Sequence, residues 1–182
     1  MRKLFLVAVF LPFILALTAA APSASQAQYK KTFPEGYCNC VFSPQEISKD
    51  KEGSVQLKDS FAKPEKVYAR CYFSGPVGKV KGPDFWHELW VDRKLVSRTK
   101  FKEPPDANWD QIQIWITEDE YKKQMQGLAP GKHEVTIWVM KNTFQGKRAE
   151  AERDASGKIV AKDKEIWVPV RLSKGNFTYT VK

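Results

Sequence analysis

Three short stretches, Gln113–Trp115 with Ile116, Thr136–Val139 and Glu165–Val168, set a tryptophan between β-branched aliphatics. Val and Ile lose rotamer freedom in a helix and pack well on a pleated surface, so the runs read as strands. In a strand alternate residues face opposite sides. Ile114 and Ile116, Ile137 and Val139, and Ile166 and Val168 then each share a core-directed face. Trp115, Trp138 and Trp167 point the other way, where a half-buried sheet usually shows polar groups to water.

The same periodicity and its punctuation organise the rest. Candidate strands are Tyr37–Phe42, Ser54–Phe61 and Lys66–Phe73, the last ending at the turn signal Gly75-Pro76. Phe85–Val91 and Leu95–Phe101 flank the polar tip Asp92-Arg93-Lys94 and form a β-hairpin, closed by Pro104 and Pro105. Its register puts Trp86 and Trp90 opposite Phe85, Leu89 and Val91, with His87 on the core side. Trp109–Ile116 alternates and stops at Thr117, where Thr117, Glu118, Asp119 and Glu120 match a capped helix start. A short helix over 118–126, ended by Gly127, is expected. A strand from His133 to Lys141 follows. Residues 142–158 read as the longest irregular stretch, holding a helical turn or a loose hairpin. The chain then finishes on a second hairpin, Glu165–Leu172, a Ser-Lys-Gly turn and Asn176–Val181. Pro169 marks an edge or bulge in that hairpin, because it cannot donate to a ladder.

The beginning of the chain reads as an export signal. Arg2 and Lys3 precede an apolar run from Leu4 to Leu17, and Ser25 and Ala27 fit a small-x-small cleavage site. Residues 1–27 are expected to be removed, leaving one domain over 28–182, periplasmic or extracellular, with no membrane span after cleavage. An uncleaved anchor is the competing reading. Loss of Arg2 and Lys3 changes 30 basic residues to 28 against 21 acidic, a net charge of +7. The lysines are scattered among acids, so no basic stripe points to nucleic acid. A chain of this size buries roughly 70% of its unfolded surface and needs no disulfide scaffold.

Export permits disulfides among the three cysteines, Cys38, Cys40 and Cys71. Cys38 and Cys40 share a strand face, which disfavours a bond between them. One of the two is expected to pair with Cys71, leaving the other free. A three-thiolate metal site lacks its fourth ligand, so no metal and no cofactor is expected.

Short strands at regular spacing with one short helix point to an all-β, antiparallel immunoglobulin-like β-sandwich. The "HELWVDRKLV" hairpin, the "LAPGKHEVTIWV" order and the final "GNFTYTV" resemble, in architecture, the second half of exported immunoglobulin-like or fibronectin-type-III-like domains. The resemblance covers about Glu65 to Lys182 and names no specific family.

Catalytic motifs are not found. The chain has two histidines, His87 and His133, and lacks a nucleophile elbow, a phosphate-binding loop or a dinucleotide turn. A non-catalytic module is therefore expected. Trp86, Trp90, Trp115, Trp138 and Trp167, with Arg171 on the same faces, are its candidate binding residues, since Trp and Arg are enriched at interface centres. The expected partner is an envelope protein or another copy, in a structural subunit of an extracytoplasmic assembly. The alternative is a carbohydrate-binding module for cell-wall glycan, with rings stacking on sugars and Gln111 and Gln113 bonding hydroxyls. Two arrangements of the tryptophan faces stay open: exposed, or covered by the helix and the long polar segment.

Overall fold

The computed structural model describes residues 29–78, 84–101 and 105–182, so the expected signal peptide, its cleavage site and Pro104 lie outside the described residues. The protein is mostly β. Eight strands are β1 (Cys38–Ser43), β2 (Ser60–Ala62), β3 (Tyr68–Tyr72), β4 (Phe85–Val91), β5 (Lys94–Lys100), β6 (Gln111–Trp115), β7 (Gly131–Arg153) and β8 (Ile159–Val181). They join in one sheet, ordered β5-β4-β7-β8-β1-β3-β6, with β2 also on β8.

The expected antiparallel immunoglobulin-like sandwich is not what this pairing forms. The sheet is mixed and curls into a half-barrel. β8 meets β7 antiparallel on one edge, and on its other edge meets β1 and β2, both parallel. One curled sheet then surrounds one core. From one wing come Phe85, Leu89, Val135, Ile137 and Val139, and from the other Phe42, Ala69, Ile112 and Ile114. The faces assigned by alternation to β4, β6 and the first half of β7 are those that point inward.

Two local expectations change. Ser173-Lys174-Gly175 is not a turn, and β8 runs straight through it. Small side chains there let β1 lie close: a Cβ on Gly175 would stand 2.6 Å from Cys40 Cβ and 2.6 Å from Phe42 Cζ. The Ser173 hydroxyl donates to the Tyr72 carbonyl across the same junction. The helix is also shorter than expected. A π-type turn over Ile116–Glu120 leads into α1 (Lys122–Gln126), which Gly127 ends. Thr117 does not cap it; its hydroxyl oxygen instead accepts from the Val67 amide at 2.8 Å, tying the turn to the start of β3. Tyr121 and Met125 enter the core, so the helix closes the barrel interior and does not cover the tryptophans.

The hairpin tip is one residue shorter than expected: Lys94 already pairs with Val91, leaving Asp92 and Arg93 to form it. Both residues have positive φ, 49° and 66°, which suits the twist of a two-residue hairpin. Residues 142–158 differ most from expectation. β7 and β8 stay paired from Gly131↔Val181 to Arg153↔Ile159, whereas β4 covers β7 only over Val135–Lys141. Beyond Asn142 the hairpin is a two-stranded arm, roughly 40 Å long at the rise of ~3.4 Å per residue.

Candidate functional site

The tryptophans fall into three places. On the outer face of the β5-β4-β7-β8 wing, cross-strand register lines up Arg98, Glu88, Trp138 and Lys174 in one row. Trp86 and Trp90 flank Glu88 along β4, and both indole N–H groups donate to its carboxylate at 3.0 Å. Arg98 Nε adds a third bond at 2.9 Å. Burial alone would raise the Glu88 pKa, but the bonds from Trp86, Trp90 and Arg98 outweigh it and hold the carboxyl below its ordinary value. Cations lie over the rings: Arg98 is 5.4 Å from the Trp86 centroid, and Arg171 and Lys174 are 4.6 and 5.0 Å from that of Trp138. Tyr37 meets Trp138 edge-on at 5.4 Å. Trp86 and Glu88 are only 7% and 6% exposed, and Trp90 and Trp138 are half-buried. Neither of the two arrangements left open by the sequence describes this face. The rings are neither bare nor under the helix, but are interleaved with their own cations and with the segment carrying Tyr37.

Trp115 is elsewhere. It ends β6, on the outer face of the opposite wing, beside Gln111 and Gln113, and is 38% exposed. These residues line a groove of about 500 Å³ whose other walls include Arg70, Trp109, Asp110 and Glu120. Trp109, which the sequence reading did not single out, is 49% exposed. The loop carrying it is pinned. The amides of Phe73, Val77 and Gly78 donate to the carbonyls of Asp110, Trp109 and Ala107 at 2.7, 2.7 and 2.9 Å. Asp106 accepts from the Asn108 amide at 2.8 Å within the turn. In the groove floor Arg70 Nε donates to Glu52 at 3.2 Å and to Gln111 Oε1 at 3.1 Å. The Nε2 of Gln113 is buried without a hydrogen-bond partner.

Trp167 is on the arm, opposite Phe144, with ring centroids 5.4 Å apart, and its N–H donates to Glu165 at 3.1 Å. Ile166 and Val168, expected to face the core, are not in it, because the arm has left the barrel there. Phe144, Ile159, Val160 and Ile166 are all exposed, Ile159 by 62%. Between them runs a ladder of ion pairs: Glu150 with Arg148 and, at 3.1 Å, Lys164, and Glu152 with Lys162 at 3.2 Å. The tip is ordered by Asp154, whose Oδ1 accepts from the amides of Ser156 and Lys158 at 2.9 and 3.1 Å.

Both histidines are held in local bonds. His87 Nδ1 shares a 2.6 Å bond with the Tyr121 hydroxyl, and burial pushes the imidazole pKa down to about 4. His133 bonds the Ala129 carbonyl at 2.9 Å and Asp92 at 2.8 Å, which raise its pKa. Among the described residues no three His, Cys, Asp or Glu side chains converge as a metal cage. No described helix is long and apolar enough to cross a membrane. Cys40 and Cys71, directly opposite in β1 and β3, form a disulfide, and Cys38 is free and buried. Compared with protein-family models, curated proteins and solved structures, the chain matches none.

Proposed function

We propose that this chain is an exported, non-catalytic module that makes protein–protein contacts through the β7–β8 arm, with a neighbouring copy as its partner. The observation that carries the reading is the arm itself. A two-stranded ribbon alone in water is marginal at best. This one extends past its supporting sheet with no described strand on either outer edge and with Phe144, Ile159, Val160 and Ile166 exposed. Free edges and exposed apolar side chains are what strand addition uses: main-chain bonds give affinity and alternate side chains give register. Charge favours a second copy. The chain as a whole carries +9, but residues 142–170 hold six basic residues (Lys147, Arg148, Arg153, Lys158, Lys162, Lys164) against five acidic ones (Glu150, Glu152, Asp154, Asp163, Glu165), a net of +1. Two arms can therefore meet with little net repulsion, with ladders of alternating sign to set their register.

In this reading Trp167, at the base of the arm, belongs to the contact, while Trp86, Trp90, Trp138 and Arg171 stiffen the wing from which the arm springs. The Cys40–Cys71 disulfide supports export, since such bonds persist in oxidising compartments. The test replaces residues 145–166 with Asn-Gly, joining the paired Phe144 and Trp167 through a two-residue turn. Light scattering should give the intact protein twice the mass of one chain and the shortened variant the mass of one, with equal melting. A monomeric intact protein, or a dimeric variant, overturns the proposal.

A further inference from the structure

We infer that the groove between Trp109 and Trp115 is a binding site for a short neutral oligosaccharide. It is built on β6, with Phe101 just after β5 on one wall and no residue of β7 or β8 in its described lining, so it is independent of the arm contact proposed above.

Two flat rings are offered at the ends of one polar floor. Trp109 and Trp115 are the most exposed indoles on the described surface. They are six residues apart, hence up to ~20 Å between Cα atoms at the extended rise. With about 500 Å³ between the walls, that is room for several sugar units and more than one sugar needs. The rings are also fixed in advance. Trp109 sits on a loop held by the three backbone bonds to Phe73, Val77 and Gly78, and Trp115 ends a strand paired to Tyr68. A ligand then meets surfaces that need little further ordering, which lowers the entropic cost of binding.

Charge selects the class of ligand. Among the described residues, Glu46, Asp110 and Glu120 line the groove against Lys49 and Arg70. The excess of carboxylates opposes phosphates, nucleotides and acidic sugars. The remaining groups suit hydroxyls. Gln111 has its carbonyl oxygen held by Arg70, so its amide nitrogen is the end that can turn to the groove. Gln113 brings a buried amide nitrogen with no partner, a donor that a ligand oxygen would satisfy once χ3 turns it toward the groove. Apolar ring faces combined with amide donors and no net positive charge among the described lining match a pyranose, which has a C–H face and a rim of hydroxyls.

The test uses a printed array of neutral and acidic glycans, followed by calorimetry with the best-bound neutral trisaccharide. Binding to neutral glycans and not to acidic ones is expected. Trp109→Ala and Trp115→Ala should each weaken the trisaccharide about tenfold or more, as loss of a stacked anchor does, while Trp109→Phe keeps part of the affinity and Trp138→Ala keeps all of it. Both rings are exposed, so the alanine variants should melt with the parent. No neutral glycan bound, a preference for acidic ones, or parental affinity in both folded alanine variants overturns the assignment.

Discussion

Gly175→Ala should destabilise the protein by about 3 kcal/mol, the upper part of the range for an overpacked site. Glycine here is required by space and not by backbone conformation, since its φ lies outside the left-handed region that only glycine visits cheaply. In open space with such a backbone, Gly→Ala stabilises by about 0.4–1 kcal/mol, because the unfolded chain loses freedom. Here the new methyl would stand 2.6 Å from Cys40 Cβ, 2.6 Å from Phe42 Cζ and 2.8 Å from Phe42 Cε2. Ordinary contact needs nearly 1 Å more. Neither neighbour can yield that alone: Cys40 is tied to Cys71, and Phe42 packs on Phe177 with centroids 4.8 Å apart. β1 must therefore move off β8, weakening the short parallel pairing Cys38↔Ser173 and Asn39↔Lys174 that joins the two wings of the half-barrel. Urea melts at neutral pH measure the effect. A stability equal to or above the parent's would refute the close packing of β1 on β8, and with it the curled single sheet.

Other consequences can be checked on the same protein. His87 is neutral when folded, with a pKa of about 4 against 6.5 unfolded, so its contribution is complete above pH 6.5 and is lost as pH falls from there to 4. The loss amounts to about 3 kcal/mol; denaturant melts between pH 7 and 4 should show it, and a flat profile would contradict the burial. His133 acts in the opposite sense: its raised pKa contributes stability below pH 6.5 that fades as pH rises through the folded value. Ile137, fully buried, should cost about 4 kcal/mol on truncation to Ala. Trp138→Ala should cost about 2–3 kcal/mol, from two cations at ~0.5–1 each and the Tyr37 edge contact at ~1. Trp115→Ala should stay within about 0.5 kcal/mol, so melts that fail to rank the three in this order would refute the assignment of faces. Non-reducing peptide mapping should recover Cys40 joined to Cys71, with Cys38 alkylated only after unfolding; removing the bond, which closes a loop of 31 residues, should cost about 3–4 kcal/mol.

Much of the half-barrel was legible because its inner faces obey a simple rule. Ile112 and Ile114, or Val135, Ile137 and Val139, alternate with polar or aromatic neighbours, and period two alone separates the sides. The tip at Asp92-Arg93 was legible for a similar local reason. Pairing partners were not, because alternation says nothing about which strand lies beside which. The parallel contact of β1 and β8 depends on Ser173 and Gly175, two residues whose types read equally well as a turn. The arm was hidden by its chemistry: Arg148, Glu150 and Glu152 alternate on one face as an ion-pair ladder, with Ala149 and Ala151 between them, so no apolar period announces a strand. Trp86, Trp90 and Trp138 were correctly placed on one face. Trp115 was grouped with them only because the sequence could not place β6 at the far edge of the sheet. Trp109 was read only as the first residue of the alternating run Trp109–Ile116, whereas β6 begins at Gln111 and Trp109 lies in the turn before it.

The account's central claim is that the arm pairs with the arm of a second copy, and amide hydrogen exchange over residues 142–172 tests it most directly. A bare ribbon opens easily, and beyond Asn142, whose amide donates to the Asp84 carbonyl at 2.8 Å, no described strand takes the amides of its outer edges. Exchange should therefore be fast in dilute protein and slow by at least about tenfold as concentration rises through the dimer range, since protection follows the population paired. The barrel strands β3 and β4 should exchange alike throughout. Fast exchange of the arm at every concentration, with β3 and β4 protected, would contradict the claim.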